Sequence, residues 1–161
     1  MKGIFLLLGS NLGNREEGLH KAIETLKSDK IKVIEKSFIY ETAAWGIRDQ
    51  QAFLNQIVEI ETSLTPPELL QLILNVELEI GRVRQRKWGE RIIDIDILYY
   101  HNYVCEEKDL LIPHPGIPDR KFTLIPLVEM CPDQIHPVLK RSQTQLLESC
   151  KDELQVSLFV N

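Results

Sequence analysis

Cysteine is scarce and poorly placed for any covalent or metal framework. Three occur in 161 residues, Cys105, Cys131 and Cys150, an odd number, far apart and without a CxxC pair. This argues against a disulfide scaffold and a thiolate metal site, and they read as reduced structural thiols. The apolar run at the N-terminus, Ile4 to Leu8, stops at Gly9. It is too short for a signal core or a membrane span and reads as the buried first strand of a cytoplasmic protein. Positive charge is in deficit: 19 Lys+Arg against 24 Asp+Glu give a net charge of -5 and a pI near 5.4. A general nucleic-acid binder needs a broad basic surface, so that class is disfavoured. There is no GxxxxGK[ST] phosphate loop and no convincing Ser/His/Asp or Cys/His arrangement for covalent catalysis. No repeat, low-complexity tract or Gly/Ser linker marks an internal boundary, so residues 1–161 read as one domain. A composition of 43% hydrophobic and 27% charged residues is that of a globular protein.

What is present is unevenly spread. Between Arg82 and Arg91 lie Arg82, Arg84, Arg86, Lys87 and Arg91 against the single acid Glu90, a local charge of +4. A concentrated basic segment in an acidic chain suits a compact polyanion. Its charges repel one another, so the segment is expected to gain order when such a ligand neutralises it.

The periodicity predicts an α+β protein. Asn14 reads as an N-cap, with Glu17 three residues on and Leu19, Ala22, Ile23 and Leu26 on one helical face. Ile31 to Tyr40 reads as one strand, followed by a loop from Glu41 to Gln51 and a second strand from Ala52 to Thr62. Thr65-Pro66-Pro67-Glu68 is a capping box with proline at the helix start. Leu69, Leu72, Ile73, Val76 and Ile80 make the apolar stripe, and Gly81 the C-cap. Ile92 to Tyr100 reads as a strand. The order β-α-β-β-α-β predicts a ferredoxin-like sandwich, with further strands and helices beyond it. Short helices are expected near Leu124 to Met130 and Gln143 to Lys151.

The chemistry concentrates in Ile92-Ile93-Asp94-Ile95-Asp96-Ile97-Leu98. Residues two apart on a strand share a face, so Ile93, Ile95 and Ile97 face the core while Asp94 and Asp96 face the other side, their Cα atoms roughly 6 to 7 Å apart. Two carboxylates so close repel unless a cation lies between them, and hard oxygen ligands suit Mg²⁺. Guanidinium groups in the preceding segment supply forks for phosphate oxygens, as a nucleoside triphosphate requires. Gly9-Ser10-Asn11-Leu12-Gly13 is too generic for a phosphate cradle and reads as a tight turn. On the residues alone two further classes remain open, an RNA-binding or regulatory module of the same fold and another Mg²⁺-dependent phosphoryl or nucleotidyl transferase. An RNA-binding sheet would show exposed aromatics and a basic surface, whereas the corresponding strand here shows Asp94 and Asp96 in an acidic chain, which argues against that module.

Several spaced motifs together resemble the 6-hydroxymethyl-7,8-dihydropterin pyrophosphokinase family. They are the opening strand with Gly9 to Gly13, Tyr40-Glu41-Thr42, Phe53-Leu54-Asn55, Glu77 with Gly81-Arg82, Arg84 through Trp88-Gly89, Arg91 to Leu98, Pro113-His114-Pro115, and Arg120 with Phe122. The resemblance runs from about Met1 to Val138. It implies transfer of pyrophosphate from ATP to the hydroxymethyl group of the pterin, releasing AMP, in folate biosynthesis. By position it implies that Asp94 and Asp96 hold two Mg²⁺ ions and act in catalysis with Arg82 and Arg91. It assigns Arg82, Arg84, Lys87, Trp88, Arg91, Ile97, His114 and Arg120 to ATP. It assigns Thr42, Ala43, Trp45, Phe53, Asn55 and Phe122 to the pterin, Phe53 and Phe122 sandwiching it. Glu77 falls on a family position near the nucleotide without an evident role. The expected unit is a monomer acting on these small molecules, with neither nucleic acid nor membrane as partner. The chain departs from the family pattern at Ala43-Ala44, where a Pro-Pro pair is common, at Phe53, where tyrosine is common, and in a basic loop about one residue shorter.

Overall fold

The computed structural model describes residues 2–43, 51–81 and 92–160. Along the chain run β1 (Ile4–Ser10), α1 (Arg15–Leu26), β2 (Ile31–Lys36), β3 (Tyr40–Thr42), β4 (Phe53–Thr62), α2 (Pro66–Ile80), β5 (Asp94–Tyr100), β6 (Cys105–Glu107), β7 (Leu110–Ile112), α3 (Lys121–Met130), α4 (Gln143–Ser149) and β8 (Val156–Leu158). Every residue of β1 is buried, as a near-continuous apolar run predicts for a strand covered on both faces. It pairs antiparallel with β4 on one side and β5 on the other. The sheet order is β5-β1-β4-β3-β8, with β2 also on β4. Since β2 and β3 share one edge of β4, this is the ferredoxin-like arrangement with that edge strand broken in two.

Alternation along β1 divides the core. Ile4, Leu6 and Leu8 pack with Leu19 and Ile23 of α1 and with Leu69 and Ile73 of α2. Phe5 and Leu7 point to the opposite face, where Leu124 and Leu127 of α3 and Leu146 of α4 cover them. The helix signals hold in detail. Asn14 Oδ1 accepts from the Glu17 amide at 3.2 Å, Glu68 Oε2 accepts from the Thr65 amide at 2.8 Å, and Gly81 closes α2 at φ 102°.

The strand expected over 31–40 is the main correction. It stops at Lys36 because residue 37 turns inward. The buried Ser37 receives the Ile57 amide on its Oγ at 3.0 Å, and its carbonyl accepts from Gln56 Nε2 at 2.7 Å. Glu129 of α3 then accepts the Phe38 amide (3.0 Å) and the Tyr40 hydroxyl (2.9 Å). Pairing resumes at Tyr40 and continues through Thr42 opposite Phe53, so two residues expected in a loop are strand. Gly9 and Ser10 likewise belong to β1 rather than to a turn. Ile93, Ile95 and Ile97 do lie in the α1/α2 core. A register shift opposite Phe5/Leu6 then sends both Leu98 and Tyr99 to the α3/α4 side. Among the described residues all three cysteines are free, and burial pushes the Cys131 thiol up to about 12, as inert structural thiols require.

Buried His136 closes the turn between α3 and α4. Its Nδ1 accepts from the amides of Val138 (3.2 Å) and Leu139 (3.1 Å), and its ring meets Tyr99 edge-on. Burial holds it below the ordinary 6.5. The unfolded chain takes up the proton first, so this contribution is complete above pH 6.5 and is lost as pH falls below it. From about pH 7 to about pH 5, urea stability should therefore fall less in His136→Asn, whose amide oxygen still accepts an N–H, than in the wild type. Parallel declines would remove His136 as a source of the acid sensitivity.

Candidate active site

The same alternation that splits the core builds the site. Leu7 pairs with Asp96 and Gly9 with Asp94 across one edge of β1. Gly9 pairs with Asn55 across the other, and Thr42 pairs with Phe53. Directly opposed residues share a face. Thr42, Phe53, Asn55, Gly9, Leu7, Asp94 and Asp96 therefore form one strip across four strands, on the α3 side of the sheet. A cavity of about 350 Å³ opens over this strip. It is closed by Ala43, by Gly116, Asp119, Arg120 and Phe122 leading into α3, and by Leu154 near the C-terminus.

The polar wall is held from behind. Asn55 is buried, with its Nδ2 3.4 Å from Thr42 Oγ1. A Cβ on Gly9 would come within 3.2 Å of Asn55 Oδ1, so the bare backbone there leaves room for the amide. Asp94 and Asp96 are half-buried between fully packed neighbours. His114 lies near both Arg120 and Asp94. Burial, reinforced by the Arg120 charge and opposed by Asp94, brings its pKa down to about 4. Its Nδ1 accepts from the Gly116 amide at 3.0 Å, so at neutral pH the imidazole is uncharged and its proton sits on Nε2, a donor.

Arg120 stands with its guanidinium 5.7 Å from the centre of the Phe122 ring, within cation–π range. It lies across Gly116, where a Cβ would fall 2.8 Å from its Cζ and Nε. Gly116 has ordinary helical φ and ψ (-79°, -3°), so the backbone does not require glycine, and a methyl there would press on the guanidinium of Arg120. Gly116→Ala should displace the guanidinium with little loss of fold. Its signature is an altered affinity for nucleotide with melting temperature unchanged. Unaltered binding would show that Arg120 tolerates the methyl.

Of the residues singled out from sequence, Asp94, Asp96, Thr42, Ala43, Phe53, Asn55, Arg120 and Phe122 all line the one cavity. Ile97 packs its side chain in the α1/α2 core, so any contact with a ligand on the aspartate side would use its backbone. Trp45, Arg82, Arg84, Lys87, Trp88 and Arg91 lie outside the described residues, as does the expected ordering of the basic segment. Five lining residues had no role assigned from sequence: Leu7, Gly9, Gly116, Asp119 and Leu154. Leu154 follows the last diagnostic motif and reaches the cavity through Asp152. That carboxylate accepts the Lys121 amide at the start of α3 (2.9 Å) and the Leu154 amide (3.0 Å). A sequence pattern offers no sign of so distant a pairing.

Paired carboxylates beside an aromatic and amide-lined cavity on an α+β sandwich suit phosphoryl-transfer chemistry. A model of the 7,8-dihydro-6-hydroxymethylpterin-pyrophosphokinase family matches residues 5–132. The chain is 44% identical over 141 residues to the 2-amino-4-hydroxy-6-hydroxymethyldihydropteridine pyrophosphokinase of Aquifex aeolicus, covering 88% of each chain. It is 44% identical over 128 residues to the Bacillus subtilis protein of the same name, covering 79% of this chain and 77% of that one. Among solved structures, wild-type Plasmodium falciparum HPPK-DHPS superposes with a TM-score of 0.72 at 17% identity, over 90% of this chain. This chain spans 44% of that longer one, and the likeness bears on the fold. The chain belongs to the 6-hydroxymethyl-7,8-dihydropterin pyrophosphokinase family, and its activity is that of a pyrophosphokinase on a hydroxymethyldihydropterin, a step of folate synthesis.

Proposed function

We propose that this cavity binds 6-hydroxymethyl-7,8-dihydropterin and ATP together and transfers the β,γ-pyrophosphoryl group to the hydroxymethyl oxygen. The carrying observation is the strip across β3, β4, β1 and β5, which sets two carboxylates at one end of a cavity and an aromatic, amide-lined wall at the other. Phe53 and Phe122 stack on the flat pterin. Asn55 offers both a donor and an acceptor to its aminopyrimidinone edge, supported by Thr42, Ala43 and Trp45. Arg120 and neutral His114 donate to the phosphates, joined by Arg82, Arg84, Lys87 and Arg91, with Trp88 and Ile97 on the remainder of the nucleotide. Arg82 and Arg91 also stabilise charge developing in transfer.

The donor set fits Mg²⁺, which typically takes one or two carboxylates and completes its shell with water and substrate phosphate. Asp94 and Asp96 would hold two such ions, which when bound supply charge neutralisation of the triphosphate and acidification of the hydroxyl. The hydroxymethyl oxygen forms its bond to the β-phosphorus as the bond from that phosphorus to the α,β-bridging oxygen breaks. AMP carries away the electron pair, and the hydroxyl proton passes to solvent. All the residues named lie on one chain, which acts as a monomer in the cytoplasm. Among the described residues no helix is long and apolar enough to cross a membrane.

Phosphorus NMR with ATP, Mg²⁺ and the dihydropterin tests this directly. AMP and a pterin diphosphate are expected. Release of ADP would replace the reading with that of an ordinary kinase.

A further inference from the structure

We infer that Glu77 is a positioning residue that sets the two aspartates, acting through the backbone of β5. Glu77 lies in the last turn of α2 with 2% of its surface exposed. A carboxylate is among the costliest groups to bury, and it is retained inside a protein where it meets a specific demand. Here its Oε1 accepts the amide of Ile95 at 2.8 Å. Ile95 is the residue between Asp94 and Asp96, and its amide belongs to the peptide joining it to Asp94.

The location of that bond gives it leverage. β5 is at the edge of the sheet, with β1 as its neighbour in the sheet, and Ile95 is its second residue. An edge strand lacks a second neighbour to hold its orientation, so its first residues are the easiest to twist or slip. A slip of one residue would turn both aspartates into the apolar core and Ile95 toward the cavity. Rotation of the Asp94–Ile95 peptide alone would alter the spacing of the two carboxylates. α2 is anchored against the sheet by Leu69, Ile73 and Val76, so Glu77 ties the peptide to a rigid element on the face opposite the cavity. The bond uses Glu77 as an acceptor, a function that glutamine can also perform.

The inference rests on Asp94 and Asp96 being the metal ligands, and the experiment separates the two ideas. Glu77→Gln and Glu77→Leu are compared with wild type by exchange of the Ile95 amide in the metal-free chain. Each is then assayed for Mn²⁺ binding by electron paramagnetic resonance with a non-hydrolysable ATP analogue, and for steady-state kinetics over a range of Mg²⁺. Ile95 should be protected in wild type and Glu77→Gln and exposed in Glu77→Leu, with the β1 amides protected in all three. Glu77→Leu should lose about 10- to 100-fold in Mn²⁺ affinity and kcat, as loss of support for metal ligands typically does, with pterin KM unchanged, while Glu77→Gln stays near wild type. A Glu77→Gln as impaired as Glu77→Leu would overturn the inference, because the charge and not the acceptor would then be required. So would an unprotected Ile95 amide in the wild type, or a folded Glu77→Leu with unaltered Mn²⁺ affinity. Should Glu77→Leu not fold, wild type and Glu77→Gln decide on the same exchange and binding criteria. Retention of Mn²⁺ affinity in both Asp94→Asn and Asp96→Asn would instead defeat the metal reading itself.

Discussion

Asp94→Asn and Asp96→Asn are each expected to reduce turnover by about 10²- to 10³-fold while the protein stays folded, the scale seen when one preorganised stabilising group is removed. The two side chains are half-buried on the cavity wall, flanked by Ile93, Ile95 and Ile97 in the core. Asparagine keeps the volume and the strand conformation, so melting temperature should move little. What it removes is one negative charge on the cavity wall, and a neutral amide oxygen is a much poorer Mg²⁺ ligand than a carboxylate. The loss should appear in kcat more than in pterin affinity, because Phe53 and Asn55 at the far end of the strip are untouched. The check is the rate of AMP release at saturating substrates, alongside thermal unfolding. Near-normal release by either variant in Mg²⁺ would end the two-carboxylate account.

Removal of either aromatic wall is expected to weaken pterin binding far more than nucleotide binding. Phe53 and Phe122 are half-buried on opposite sides of the cavity, one starting β4 and the other in the first turn of α3. Each ring contributes stacking and apolar burial, so Phe53→Ala or Phe122→Ala should cost about 1 to 3 kcal/mol of pterin affinity, roughly 5- to 150-fold in Kd. The two should not be identical. Phe122 also lies under Arg120, so its loss frees that guanidinium and should add a smaller nucleotide effect absent from Phe53→Ala. Titration calorimetry with each ligand separately gives both numbers. Equal losses for pterin and nucleotide in Phe53→Ala would place that ring in general structural support.

The amino-acid pattern determined most of the secondary elements, the fold class and the pair of aspartates, while the other cavity residues were named through the family resemblance. Caps and stripes at Asn14, Thr65 and Gly81 are local signals, carried by residues a few positions apart. The alternation of Ile93, Asp94, Ile95, Asp96 and Ile97 is equally local, and it assigned the aspartates to one face before any fold was known. The break at Ser37 was not legible, because β-branched and aromatic residues continue across it. It comes from hydrogen bonds to Ile57, Gln56 and Glu129, up to 91 residues away. The tertiary structure likewise decided how the carboxylates meet the aromatic, amide-lined wall, since that depends on the register of β1 against both β4 and β5. It also decided how Arg120 lies across Gly116, how Asp152 brings Leu154 to the cavity, and where the carboxylate of Glu77 goes. Each of these is a contact between residues far apart in the chain, and a linear pattern encodes which faces are apolar without encoding which distant partner each face will meet.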